Sequence, residues 1–378
     1  MRKEVQLQPL RIIVSGGGTG GHIFPALAIA NAIKALRPDT EFLFVGAEGK
    51  MEMEKVPAAG YKIEGLWISG FQRKLTVSNL AFPFKIIGSL MKAKKILKTF
   101  KPDAVIGTGG FASGPMLRVA ASAGVPTLIQ EQNSYAGITN KLLAKKVDRV
   151  CVAYAGMEKF FPKNKIILTG NPVRQDILQM EGKRSRGLEL FGLDGNKRTI
   201  LVIGGSLGAR TINESILSGL PSFAEHNIQL VWQTGKGFYE NAKAATVAFE
   251  NKGIKAFDFI QKMDYAYAVA DLVISRAGAS SVSELCLVKK PTILVPSPNV
   301  AEDHQTKNAL ALVTHHAAVI IKDIDARAKL CKEAVALMAD EEACFKLSEN
   351  IGKLALPDSA VIIANEVLSL INKKRELK

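Results

Sequence analysis

Two glycine-rich loops, each between an apolar run and an amphipathic one, constrain this chain more than any other feature. The first is Ser15-Gly16-Gly17-Gly18-Thr19-Gly20-Gly21-His22. An apolar run at 10–14, broken only by Arg11, precedes it, and Leu27, Ala30, Ile33 and Ala35 follow at helical spacing. That order reads as strand, tight turn, helix. Five glycines within positions 16–21 let backbone N–H groups approach a ligand closely, and the helix behind them adds its positive end. Such a loop suits a diphosphate, although the spacing alone also fits a plain strand-to-helix turn. The second loop, Gly204-Gly205-Ser206-Leu207-Gly208-Ala209-Arg210, lies between an apolar run at 198–203 and a helical pattern at 211–220. The same βα opening is therefore used twice, which predicts two domains of one plan.

The intervals support this. Short runs rich in β-branched or aromatic residues are expected as strands at 41–46, 61–63, 103–108, 126–130, 148–152 and 165–169. After the second loop, strands are expected at 228–233, 254–259, 271–275, 292–295 and 318–321. Helical patterns separate most of them, which implies doubly wound parallel sheets covered on both faces. The pattern pauses at Gly170-Asn171-Pro172-Val173-Arg174, the expected boundary between a domain 1–172 and a domain 173–358. Residues 359–378 read as a long amphipathic helix that rejoins the first domain. At 378 residues the chain is too long for one ordinary core.

Charge narrows the functional classes. The net charge is +15, and residues 1–175 hold 25 lysines and arginines against 11 acids, whereas residues 176–378 are nearly balanced at 25 against 24. No acid occurs in residues 65–102, where eight basic residues alternate with Leu80, Phe84, Ile87, Met91 and other apolar side chains. A basic-apolar segment of this kind suits an anionic membrane surface, or else a packed helix with a solvated lysine face. No nucleic-acid motif accompanies the charge. No segment reads as a signal peptide or a membrane span, so the expected location is cytoplasmic. Four cysteines without C-x-x-C spacing, Cys151, Cys286, Cys331 and Cys344, read as reduced thiols rather than zinc ligands.

In open α/β sheets ligands bind beyond the carboxyl ends of the strands. The polar groups expected there are His22, Glu131-Gln132-Asn133, the run Arg276-Ala277-Gly278-Ala279-Ser280-Ser281-Val282-Ser283-Glu284, and Glu302-Asp303-His304-Gln305. The serines stand where a helix should begin, ready to cap it or to hold a phosphate, and Glu284 is suited to a ribose diol. His22 and Glu131 are the groups placed to act as a base, and each is equally a possible structural hydrogen-bonder. A nicotinamide dehydrogenase would use the first loop with Glu48 on the ribose, but it leaves the second loop and residues 276–284 without a role.

Taken in order, these motifs resemble the MurG family of bacterial peptidoglycan glycosyltransferases. The resemblance rests on Gly17-Gly18-Thr19-Gly20-Gly21-His22, Gly109-Gly110-Phe111-Ala112-Ser113-Gly114-Pro115, Glu131-Gln132-Asn133, Gly170-Asn171-Pro172, Gly204-Gly205-Ser206, Arg276-Ala277-Gly278, Ser283-Glu284 and Asp303-His304-Gln305. It implies a GT-B fold, two Rossmann-like doubly wound domains facing across a cleft. The implied reaction is an inverting transfer, without metal or other cofactor, of N-acetylglucosamine from UDP-N-acetylglucosamine to the 4-hydroxyl of the N-acetylmuramyl sugar of lipid I. Lipid II is the product, made at the cytoplasmic face of the membrane, with residues 65–102 as the docking segment. The donor contacts it implies are Thr19, Gly20, Gly21, Asn133, Arg174, Ser206, Ile260, Ala279, Ser280, Ser281, Val282, Ser283, Glu284 and Gln305. Arg174 and Ser206 would lie near the diphosphate, with Ile260 at the uracil. His22 is the first choice for the base and Glu131 the second. Leu207 departs from the family's usual glutamine, Phe111 stands where tyrosine also occurs, and Ser280-Ser281 replaces an apolar-threonine pair.

Overall fold

The computed structural model describes residues 9–69, 82–173, 175–205 and 208–377. It divides into two compact units, Met1–Val173 with Asp358–Lys378, and Arg174–Pro357.

The first unit is built on seven parallel strands: β1 (Arg11–Gly16), β2 (Glu41–Ala47), β3 (Lys62–Leu66), β4 (Ala104–Gly109), β5 (Thr127–Glu131), β6 (Arg149–Val152) and β7 (Ile166–Leu168). Their order in the sheet is β3-β2-β1-β4-β5-β6-β7. Alternate residues serve opposite faces because side chains alternate along a strand. Ile13, Leu43, Val45, Val105 and Ile129 pack with Ala93, Ile96, Met116 and Leu117 of the helices Phe82–Phe100 and Ser113–Ser122. Ile12, Val14, Phe44, Ile106 and Leu128 pack on the other face with Ile29 and Ile33 of the helix Gly20–Leu36. The C-terminal helix, Ser359–Glu376, adds Ile363, Val367 and Ile371 to that second face and so belongs to the first unit.

The second unit has six parallel strands: β8 (Thr199–Ile203), β9 (Gln229–Gln233), β10 (Ile254–Phe257), β11 (Leu272–Ser275), β12 (Thr292–Leu294) and β13 (Val319–Ile320). Their order, β10-β9-β8-β11-β12-β13, repeats the plan of the first sheet from its glycine-loop strand outward. Ile200, Val202, Leu230, Trp232 and Ile274 pack against Ile212, Ile216 and Leu220 of the helix Arg210–Glu225 and against Leu330 and Ala334.

Nine expected strands, those at 61, 103, 126, 148, 165, 198, 228, 271 and 318, begin one residue later than their apolar pattern suggests, and in three of them an aspartate occupies the displaced position. Asp103, Asp148 and Asp271 stand just before β4, β6 and β11, where their carboxylates accept the N–H groups of Arg11 (2.9 Å), Thr127 (2.8 Å) and Thr199 (2.8 Å). Each aspartate thus takes the first donor of the neighbouring strand with its side chain. The equivalent placement of Asp103 beside β1 and Asp271 beside β8 is a further sign of the repeated plan.

Parallel strands deliver every carboxyl end to one edge of their sheet. In the first unit that edge carries the glycine loop and residues 109–115 and 131–137. In the second it carries residues 204–205, 208, 258–260, 276–278 and 296–303.

Candidate active site

The first glycine loop ends in the helix Gly20–Leu36, with Thr19 at its N-cap position and no side-chain cap on its first N–H groups. Thr19, Gly20 and Gly21 therefore form a bend and first turn whose amides are not used by a capping side chain. Uncapped amides at a helix N-terminus favour an anion. His22 lies in the first turn, half-buried, with its ring edge against Gly109 at the end of β4. Its Nδ1 is 2.8 Å from the Gly17 carbonyl oxygen. A carbonyl only accepts, so Nδ1 carries the proton, and in the neutral ring the lone pair is on Nε2. His22 also anchors its own backbone, because its carbonyl accepts the Thr108 hydroxyl at 2.9 Å.

Glu131 presents a different picture. It closes β5, is 2% exposed, and accepts four hydrogen bonds. Oε2 takes the Gly137 N–H (2.9 Å) and Asn140 Nδ2 (2.9 Å), while Oε1 takes the Asn133 N–H (3.1 Å) and Nδ2 (3.4 Å). The carboxylate is thus turned into its own loop, and it holds Asn133 in place. Beneath it, Gln130 donates to Asn171 Oδ1 at 2.9 Å, Asn171 donates to the Gln132 carbonyl at 2.9 Å, and Gln132 donates to the Thr108 carbonyl at 2.7 Å. This buried network ties β4, β5 and the segment before residue 174 into one rigid edge.

In the second unit, Arg174 and Ser206 lie outside the described residues, and so does Leu207. Gly208, just after them in the chain, has a φ of +78°, and an added Cβ there would come within 2.0 Å of the Thr234 carbonyl oxygen. Gln233, at the end of β9, links two parts of the edge: its amide donates to Gly205 O at 3.2 Å and its carbonyl accepts the Ile260 N–H at 3.0 Å. The Ile260 amide is therefore engaged within the protein.

The helix Ala279–Val288 begins after Gly278, whose N-cap position offers no side chain. Ser283 donates back to the Ala279 carbonyl at 3.1 Å. Ser280 and Ser281 stand beside it in the first turn. Val282 is 1% exposed and belongs to the core, so only its backbone can meet a ligand. Glu284 is oriented by Tyr267, a fully buried phenol on the helix Met263–Val269 whose hydroxyl donates to Glu284 Oε2 at 3.0 Å. Arg276 is committed to partners along the edge: it donates to the carbonyls of Val295 (2.9 Å) and Pro296 (3.2 Å) and pairs with Asp323. Gln305 accepts the Ser297 N–H at 2.9 Å through Oε1, which directs its amide donors elsewhere. Glu302 and Asp303, just before it, both have positive φ, at 56° and 52°, a backbone strain of the kind held at ligand clamps.

Sequence reasoning missed two residues here. Tyr267 lies in an unremarkable apolar stretch. Glu52 is fully buried behind the first loop, where it accepts the Gly18 N–H at 2.8 Å and the Ala47 N–H at 3.0 Å. Glu48, the acid a dehydrogenase would need, is paired with Lys92 at 3.0 Å. Among the described residues, no cluster of histidine, cysteine, aspartate and glutamate could hold a metal ion.

The chain matches the N-terminal domain of glycosyltransferase family 28 over residues 12–152 and the C-terminal domain of that family over residues 199–361. With its two parallel-sheet units, it is a glycosyltransferase of the GT-B class. A relative from Bacteroides fragilis, named UDP-N-acetylglucosamine--N-acetylmuramyl-(pentapeptide) pyrophosphoryl-undecaprenol N-acetylglucosamine transferase, is 58% identical over 97% of each chain. A relative of the same name from Parabacteroides distasonis is 57% identical over 97% of this chain and all of its own. The crystal structure of Acinetobacter baumannii MurG superposes with a TM-score of 0.78 at 28% identity, covering 96% of this chain and 100% of that one. This chain belongs to that family of N-acetylglucosamine transferases.

Proposed function

We propose that this chain transfers N-acetylglucosamine from UDP-N-acetylglucosamine to the 4-hydroxyl of the N-acetylmuramyl sugar of lipid I, giving lipid II for peptidoglycan. The observation that carries this reading is the 58% identity over 97% of the chain to a transferase whose name states the donor and the acceptor.

On this reading the second unit binds the donor. The Ile260 carbonyl accepts the uracil N–H, and Glu284, held by Tyr267, accepts both ribose hydroxyls. Arg174, Ser206 and the first turn of Ala279–Val288, with Ser280, Ser281 and Ser283, receive the diphosphate. Gln305 offers its amide to the sugar. The first unit binds the acceptor, with Thr19, Gly20 and Gly21 toward the reacting groups and Asn133 toward the donor sugar.

His22 Nε2 removes the proton of the 4-hydroxyl as that oxygen attacks the anomeric carbon from the face opposite the diphosphate. The bond from the anomeric carbon to the diphosphate oxygen breaks, and UDP leaves with the electron pair. A β-linkage results, and the helix N-terminus stabilises the charge that develops on the leaving group. Glu131, with both oxygens committed to its loop, positions Asn133 rather than acting as the base.

The acceptor is lipid-linked, so the enzyme works at a membrane surface. The helix Phe82–Phe100 offers Phe84, Ile87 and Met91 as an exposed apolar face, with Lys94, Lys95 and Lys98 beyond it toward its C-terminus. We assign it to peripheral docking on anionic lipid at the cytoplasmic face. No helix among the described residues is long and apolar enough to cross a membrane.

The direct test is transfer of labelled N-acetylglucosamine from UDP to a lipid I analogue, with and without a chelator. His22→Ala is expected to lower kcat by roughly 100-fold or more at saturating substrates. Near-normal turnover of that variant removes His22 as the base.

A further inference from the structure

Glu52 lies on the helix Glu52–Ala58, 34 positions along the chain from the loop it touches. Its side chain fills a space left by two glycines: an added Cβ at Gly17 would lie 2.0 Å from Glu52 Oε1, and one at Gly46 would lie 2.5 Å from its Cγ. Gly110 closes in on the same loop, since a Cβ there would come within 2.3 Å of the Gly17 carbonyl oxygen. Glu52 Oε2 accepts the Gly18 N–H at 2.8 Å, and the Gly17 oxygen accepts His22 Nδ1–H at 2.8 Å. These two bonds use opposite ends of one peptide group, the Gly17 carbonyl and the Gly18 amide.

We propose that Glu52 is a positioning residue for His22, acting through the Gly17–Gly18 peptide, so that carboxylate, peptide and imidazole form one relay. The carboxylate polarises the amide, which places more negative charge on its oxygen, and that oxygen holds the Nδ1 proton more firmly. The consequence is a fixed tautomer with Nε2 as the basic nitrogen, and a ring whose charged form is favoured. The role matches that of a carboxylate bonded directly to a histidine, with a peptide interposed. This inference rests on His22 being the base.

Among the described residues, the carboxylate bonded to the relay's peptide is that of Glu52. From β4 come Thr108 and Gly109, neither ionisable. Glu131 of β5 is enclosed by its own four donors. The C-terminal helix, packed along Gly20–Leu36, carries Glu366 beside Arg149 and Arg375 beside Asp103. On the helix of Glu52 itself, Lys55 pairs with Glu54.

The test is Glu52→Gln, which keeps the volume and removes the charge. Titration of the His22 ring by NMR in the unliganded protein is expected to give a midpoint lower by about half a unit. The acid limb of the kcat profile should move down by the same amount, and kcat should fall roughly tenfold while KM for UDP-N-acetylglucosamine changes less than about twofold. In a His22→Ala background, Glu52→Gln should cost no further activity. If Glu52→Gln does not fold, Glu52→Asp keeps the charge but draws it back from the Gly18 amide, and a smaller drop in the midpoint is expected. A His22 midpoint unmoved in the folded variants overturns the relay. Full kcat in His22→Ala alongside a shifted midpoint would instead overturn the base assignment and leave the positioning of the ring intact.

Discussion

Tyr267 is placed against Glu284 much as Glu52 is placed behind the loop of His22, and in the proposed mechanism a buried group thereby fixes the side chain that meets the substrate. Its hydroxyl has Glu284 as a partner at 3.0 Å, so Tyr267→Phe deletes one hydrogen bond to a carboxylate and leaves the packing unchanged. A bond of that kind contributes about 1.5–3 kcal/mol when one partner is charged. The expected result is a several-fold rise in KM for UDP-N-acetylglucosamine with kcat nearly preserved, read by steady-state kinetics. Neither residue is legible as a partner in the sequence. Met51-Glu52-Met53-Glu54-Lys55 reads as a charged helical turn facing solvent, and only the glycines at 17 and 46 hint that a side chain must enter there. By contrast Thr19, His22 and Glu284 were legible, because their positions follow from local strand–loop–helix grammar.

Whole elements show the same division. The second glycine loop depends on Gly208, where φ is +78° and a Cβ would meet the Thr234 carbonyl at 2.0 Å. Gly208→Ala combines a left-handed backbone with a backbone clash, and is expected to cost at least about 2 kcal/mol, seen as a lower Tm together with weakened UDP binding. The helix Phe82–Phe100 had two readings from sequence, a membrane-facing segment or a packed helix with a lysine face. It has both features: Ala93 and Ile96 pack into the core, whereas Phe84, Ile87 and Met91 remain 57–69% exposed along one stripe. The double substitution Ile87→Glu with Met91→Glu should abolish binding to vesicles containing anionic lipid and leave UDP-N-acetylglucosamine binding unchanged. Wild-type vesicle binding should weaken with salt. Vesicle binding indifferent to both changes would exclude this helix as the docking element.

Across the whole molecule, the four thiols give a measurable signature. Burial pushes the Cys286 thiol up to about 12 and the Cys331 thiol up to about 11, and raises those of Cys151 and Cys344 as well. A thiol raised in the folded state is protonated there while its unfolded counterpart ionises from about pH 9, so the unfolded chain binds fewer protons above that pH. Stability is therefore retained below pH 9 and falls as pH rises toward 11 and 12, which thermal unfolding at pH 8 and pH 10 would detect. Alkylation at pH 8 should be slow in the native protein and complete after denaturation.

The two-domain α/β plan was determined by the sequence by itself, because a strand, a glycine turn and a helix are each specified within a few neighbouring residues, and this chain states that unit twice. Alternating apolar residues then fixed which faces are covered. Tertiary structure alone decided what each polar group does. It turned Glu131 into its loop, drew Arg276 to Asp323, turned the Ser283 hydroxyl back to the Ala279 carbonyl, and placed Glu52 behind the peptide that holds His22. Those outcomes depend on distances between residues far apart in the chain, which local propensity does not encode. Burial then makes each such contact obligatory, since a polar group inside the protein must find its partner there.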